Sequence, residues 1–182
     1  MRLRNEADRW GAPSLVLHWL TALLILALAG LGLWMTDLPP SLFKLKVYAL
    51  HKSLGITVLA LTVLRLAWLF PGRRPAALPG PRWQRRAALG SHVALYALLL
   101  LVPLSGWWYN STAGFPLRWF GMVALPPLGA ADPALKAIAR DRHEWLFYAL
   151  AAVVLVHVAA ALWHHLHLRD ATLSRMLGRR RD

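Results

Sequence analysis

The apolar residues of this chain fall into four long runs separated by shorter polar or proline-rich stretches. The first run extends from about Ser14 to Met35, with no charged side chain between Arg9 and Asp37. The second covers about Val47 to Phe70, the third about Ala87 to Tyr109, and the fourth about His143 to His167. A helix needs about 20 apolar residues to cross a bilayer core, so each run is read as one span. Lys52 stands near the start of the second run and Arg65 near its end, where long basic side chains can snorkel to the interface. Pro39-Pro40 and the Pro71–Pro81 stretch punctuate the connections. Pro103 lies inside the third run, and membrane helices tolerate such a proline when neighbours satisfy the freed carbonyl. The pattern predicts an all-α membrane protein, a four-transmembrane-helix bundle forming one domain over residues 1–182.

Composition agrees with this pattern. Of 182 residues, 58% are hydrophobic and ten are Trp, too apolar for an ordinary soluble domain and too short for more than one small membrane domain. A formal charge of +13 would suggest nucleic acid in a soluble protein. Here the charges lie between apolar runs, so they report topology, and no nucleic-acid partner is expected. Two thirds of the 21 Lys and Arg residues fall in the N-terminal segment, in the second span's end with its following loop, and in the tail. The positive-inside rule then places both termini in the cytoplasm. The first run exceeds the usual length of a signal sequence, and cleavage there would discard His18, so it is read as a span. In the long loop from Asn110 to Arg142, the aromatic stretch Leu117–Leu128 is placed on the outer interface, and Asp132-Pro133 reads as a helix start. With no Cys, disulfides, thiolate-held iron–sulfur clusters and haem attached through thioethers are excluded.

Topology gives each histidine a depth. His143 and His157 lie fourteen residues apart on the fourth span. On an α-helix that is about 40° short of four turns and about 21 Å of rise, so they share a face at two depths. His51 joins His143 near the outer side, while His18 and His92 join His157 near the cytoplasmic side. A single membrane histidine can simply hydrogen-bond a carbonyl on a neighbouring helix. Histidines on all four spans at matching depths point instead to two bis-histidine haems, for which five candidates are present. Zinc is the competing metal, but it takes three or four ligands at one point, and these sets are separated by most of the membrane. Flat haem needs little bulk opposite it. Gly30, twelve residues beyond His18, Gly55, one turn after His51, and Gly106, fourteen residues beyond His92, are candidates to line it. Helix packing through small residues is the alternative for each.

Several stretches resemble the bacterial cytochrome b561 family of four-helix membrane dihaem proteins. They are Leu17-His18-Trp19, His51-Lys52-Ser53-Leu54-Gly55, His92 to Tyr96 followed by Pro103-Leu104-Ser105-Gly106-Trp107, His143-Glu144, and His157 followed by His164-His165. The resemblance implies two haem b groups, one held by His18 and His157 and one by His51 and His143, with His92 beside the inner one. It also implies a multi-pass protein of the bacterial inner membrane. Some members of the family oxidise superoxide and reduce ubiquinone. The b-type subunits of membrane hydrogenases look like relatives, so a membrane-anchor and electron-transfer subunit of a periplasmic dehydrogenase or hydrogenase is the alternative role. The chain is accordingly an oxidoreductase or an electron-transfer cytochrome.

Lys44, Lys46, Lys52, Arg140 and Arg142 gather near the outer histidines, where a basic funnel would concentrate an anion such as superoxide. They equally fit a dock for an acidic electron donor, or ordinary solvated charges. His164, seven residues beyond His157 on almost the same face, is the candidate contact for a ubiquinone carbonyl, with Trp163 and Trp19 beside it. Membrane lipid is the remaining partner, and no sequence feature specifies an oligomer.

Overall fold

The computed structural model describes residues 3–69 and 75–178. Phe70, the first part of the proline-rich connection, and Arg2, Arg73, Arg74 and Arg179–Arg181 of the charge count lie outside the described residues. Four long helices follow one another: α1 (Ala12–Asp37), α2 (Leu42–Leu69), α3 (Arg82–Thr112) and α4 (Pro133–Leu166). Two short strands, β1 (Leu117–Trp119) and β2 (Val123–Leu125), lie between α3 and α4, and a one-turn helix α5 (Thr172–Met176) follows α4. All four long helices are long and apolar enough to cross a membrane.

The helices alternate in direction. The Trp68 indole N–H near the end of α2 donates to Ser14 Oγ at the start of α1 at 3.2 Å. Lys52 Nζ near the start of α2 donates to Asn110 Oδ1 near the end of α3 at 3.0 Å. One end of the bundle therefore carries the start of α1, the end of α4 and α5, and the other carries the β1–β2 hairpin. We call them the terminal end and the hairpin end.

Each helix begins before its apolar run, because only its middle has to be apolar. The largest difference is at α4. Asp132 caps it as expected, its carboxylate accepting from the N–H groups of Ala134 and Leu135. The helix begun there then continues into the fourth span as one 34-residue element. No Gly or Pro follows Pro133 within α4 to stop it. Similarly, α3 continues through Pro103.

The packed centre lies at mid-height. Val58, Leu99 and Leu150 are buried there, with Ile25 and Leu28 of α1 packed against them. Most large apolar side chains elsewhere, such as Leu23, Leu26, Leu155 and Val156, point outward. That is the arrangement for a bundle whose solvent is hydrocarbon. Small polar residues pack inside instead. Thr21, Ser53 and Thr62 are buried, and each hydroxyl donates to the carbonyl four residues back, Leu17, Ala49 and Val58 respectively.

The hairpin pairs Leu117 with Leu125, Arg118 with Ala124 and Trp119 with Val123. Its turn has positive φ at Phe120 (48°) and Gly121 (74°), and the Met122 N–H donates to the Trp119 carbonyl. Two successive positive φ values match a type I′ turn, for which Gly121 is suited and Phe120 is not. Two contacts with α2 hold the turn: the Phe120 N–H donates to Ser53 Oγ at 2.9 Å, and the Trp119 indole donates to Thr57 Oγ1 at 3.1 Å. Ser53→Ala leaves the Phe120 N–H unpaired, which costs about 1–3 kcal/mol where that group stays buried. Limited trypsinolysis should cleave S53A after Arg118 faster than the wild type, with a lower thermal midpoint. Equal cleavage rates would show that Ser53 does not hold the hairpin.

Candidate functional site

The histidines meet in two groups. At the terminal end, the His18 and His157 ring centres lie 6.5 Å apart with planes at 69°. His92 lies in the same group, its ring centre 5.7 Å from that of His157. At the hairpin end, His51 and His143 are also 6.5 Å apart, with planes at 89°.

One spacing organises both groups. Fourteen residues separate His18 from Gly32 on α1, His51 from Arg65 on α2, His92 from Gly106 on α3, and His143 from His157 on α4. Seven residues from each member of these pairs stand Ile25, Val58, Leu99 and Leu150, the apolar centre. Seven residues make nearly two turns of helix, so each helix shows one face to a lower site, a central plug and an upper site.

Two glycines lie close to the hairpin-end rings, and one of them is not among those expected. A Cβ on Gly106 would lie 3.0 Å from His143 Cε1, and one on Gly32 would lie 3.1 Å from His51 Cε1. Gly30 and Gly55 have no such neighbour. Twelve residues past His18 is about 120° off whole turns, whereas fourteen is about 40° off. Gly32 was therefore the better position on spacing alone, and the sequence reading passed it over.

The ring nitrogens are unequally provided for. His143 Nδ1 lies 3.0 Å from the Val102 carbonyl and 3.0 Å from Ser105 Oγ. A carbonyl only accepts, so Nδ1 carries the proton and Nε2 keeps its lone pair, the tautomer that a metal needs at Nε2. His18 and His51 each leave a buried Nδ1 with no hydrogen-bond partner. Buried nitrogens are seldom left so without another use.

The basic residues of the hairpin end do not behave as one set. Lys44 Nζ donates to the Thr36 and Leu38 carbonyls at the end of α1, and Lys52 donates to Asn110. Lys46, Arg140 and Arg142 are exposed.

At the terminal end, His164 is half-buried and its Nδ1 pairs with Asp170 Oδ2 at 2.5 Å. Asp170 Oδ1 also accepts from the Thr172 N–H at the start of α5. The Trp19 indole donates to the Met176 carbonyl, and Trp163 stacks on His167 with ring centres 4.0 Å apart. Asp170 escaped the sequence reading, although an acid six residues from His164 in a basic tail was visible there.

Imidazole pairs at two depths of a membrane bundle define a b-type cytochrome architecture. The family model described as prokaryotic cytochrome b561 matches residues 9–179, and the chain belongs to that family. Cytochrome b561 homolog 2 of Escherichia coli (strain K12) is 34% identical, covering 98% of this chain and 96% of the relative. Cytochrome b561 homolog 1 of the same organism is 29% identical over 96% of this chain and 99% of the relative. A probable superoxide oxidase CybB of Yersinia pestis is 28% identical over 95% of this chain and 98% of the relative. The family binds b-type haem and transfers electrons in the membrane.

The residues fit that cofactor. Two imidazoles on opposite sides of one metal, with metal–nitrogen bonds of about 2 Å, place their ring centres about 6.3 Å apart. Both pairs stand at 6.5 Å. Among the described residues, no three His, Cys, Asp or Glu side chains converge to hold a metal ion, as a zinc cage requires.

Two outcomes follow. Gly106→Ala and Gly32→Ala each push a methyl against a hairpin-end ring, so each should shift the reduced visible spectrum of the bound haem. A spectrum unchanged in both variants would contradict the close approach. The second outcome concerns Asp170. Burial pushes its carboxyl up, but hydrogen bonds from His164 and Thr172 outweigh this and hold it below the ordinary carboxylate range. A carboxyl lowered in this way contributes stability at neutral pH and loses it only as the pH falls through its lowered value, here below about pH 4. Hydrogen exchange of the α5 amides should therefore be slow at pH 7 in the wild type and fast in Asp170→Asn. Equal protection in D170N would show that the carboxylate does not hold α5.

Proposed function

We propose that this chain carries electrons from superoxide outside the cytoplasmic membrane of a bacterium to ubiquinone at its inner face. His51 and His143 hold one haem b at the hairpin end, which faces the periplasm. His18 and His157 hold a second at the terminal end, which faces the cytoplasm. The observation that carries this reading is the equal 6.5 Å separation of two imidazole pairs at two levels of one bundle. Held by these histidines, each group would supply a one-electron iron couple, the chemistry of electron transfer.

The chain's residues then divide the work. Lys46, Arg140 and Arg142, exposed at the hairpin end, draw anions toward His51 and His143. Two superoxide anions give up one electron each to form oxygen, and one ubiquinone takes both electrons with two protons. His164 lies seven residues beyond His157, about 10 Å further toward the terminal end. With Nδ1 paired to Asp170, it keeps Nε2 for a quinone carbonyl and can hold a proton there. Trp19 and Trp163 flank the same region. The name of the Yersinia pestis relative, a probable superoxide oxidase, supports the choice of donor.

His157→Ala should lose one haem and His143→Ala the other, read as haem-to-protein ratio and as separate α-band components. Anaerobic stopped-flow mixing of wild-type protein with superoxide should reduce the haems faster than superoxide decays alone. Loss of the same component in both variants would refute the two-level assignment. Absence of fast reduction, together with a periplasmic dehydrogenase co-purifying in equal amount, would make the chain that enzyme's electron-transfer subunit.

A further inference from the structure

The function proposed above leaves Arg65 without a role. Its position near the end of α2 suggests an arginine that snorkels to the interface, but the structure turns it inward. Its guanidinium lies over the Tyr96 ring of α3, 5.5 Å from the ring centre. The side chain is half-buried, and among the described residues no carboxylate pairs with it. It stands fourteen residues from His51, so α2 presents it at the level where α4 presents His157.

A cation inside a membrane span is expensive, and such residues face the bundle interior and find an anion there. Tyr96 offers only the face of an aromatic ring. We propose that Arg65 is the counter-cation of the terminal-end haem, pairing with a propionate carboxylate and raising the potential of that haem relative to the other. The inference rests on the His18–His157 assignment above. Arginine suits the task, because its planar fork meets a carboxylate with two hydrogen bonds and keeps its charge when buried. A fixed positive charge near an iron favours the reduced state, in which the site carries one positive charge fewer. The bias holds an electron at the terminal-end haem more firmly than the same site would without Arg65.

The test is a redox titration of purified holoprotein in nanodiscs of zwitterionic lipid, following each α-band component separately. Arg65→Gln should weaken electron affinity at the component that His157→Ala removes by at least tenfold, a fall of about 59 mV for one electron. The other component should move much less, and Arg65→Lys should stay near the wild type. An unchanged potential in R65Q, with both haems retained and H157A still removing one, overturns this inference while leaving the two-haem reading intact. If H157A removes no haem, the underlying assignment fails instead. A fall seen only in nanodiscs of anionic lipid would give the anion to a headgroup and overturn the propionate pairing. If R65Q loses the terminal-end haem, recovery of that haem in R65K supports the charge pairing, and equal loss in R65K contradicts it.

Discussion

The structure depends on a single constraint of helix geometry. Fourteen residues return an α-helix to nearly the same face about 21 Å along its axis, which is most of the thickness of a bilayer core. Each of the four long helices uses that interval: His18 to Gly32, His51 to Arg65, His92 to Gly106 and His143 to His157. Because the helices alternate in direction, the intervals superimpose two levels, with Ile25, Val58, Leu99 and Leu150 midway between them. The apolar centre thus has two tasks. It holds the bundle together, and it keeps the two imidazole pairs apart at a fixed distance.

The two levels share this frame and differ in chemistry. The hairpin-end pair has glycines behind it, a hydrogen-bonded Nδ1 on His143, and a roof formed by β1 and β2 resting on Ser53 and Thr57. The terminal-end group has a third imidazole, His92, and Arg65 stands at its level on α2, over the Tyr96 ring. Below it, the His164–Asp170 pair joins α4 to the start of α5, and Trp19 reaches across to Met176. One end is compact and rimmed by exposed basic residues. The other gathers His164, Asp170 and the start of α5.

Much of this was legible from the order of residues. The four spans needed only the apolar runs, and the grouping of His51 with His143 and of His18 and His92 with His157 needed only topology. Contacts across the bundle were harder to read. The commitment of Lys44 to α1 carbonyls and of Lys52 to Asn110 depends on where neighbouring helices end. The inward turn of Arg65 depends on Tyr96, which lies 31 residues away in sequence and on another helix. The choice of Gly32 over Gly30 is a matter of about 160° around α1 and needed only a stricter use of helical phase. Asp170 lies beyond the last span, where the hydrophobic pattern gives no guidance.

Two stacked metal positions on one bundle axis form the central claim, and diffraction from holoprotein crystals at the iron absorption edge tests it most directly. The two-level arrangement predicts two anomalous peaks per chain, one between His18 and His157 and one between His51 and His143, about 21 Å apart along the bundle. A single peak, or a peak lying outside those two pairs, would contradict it.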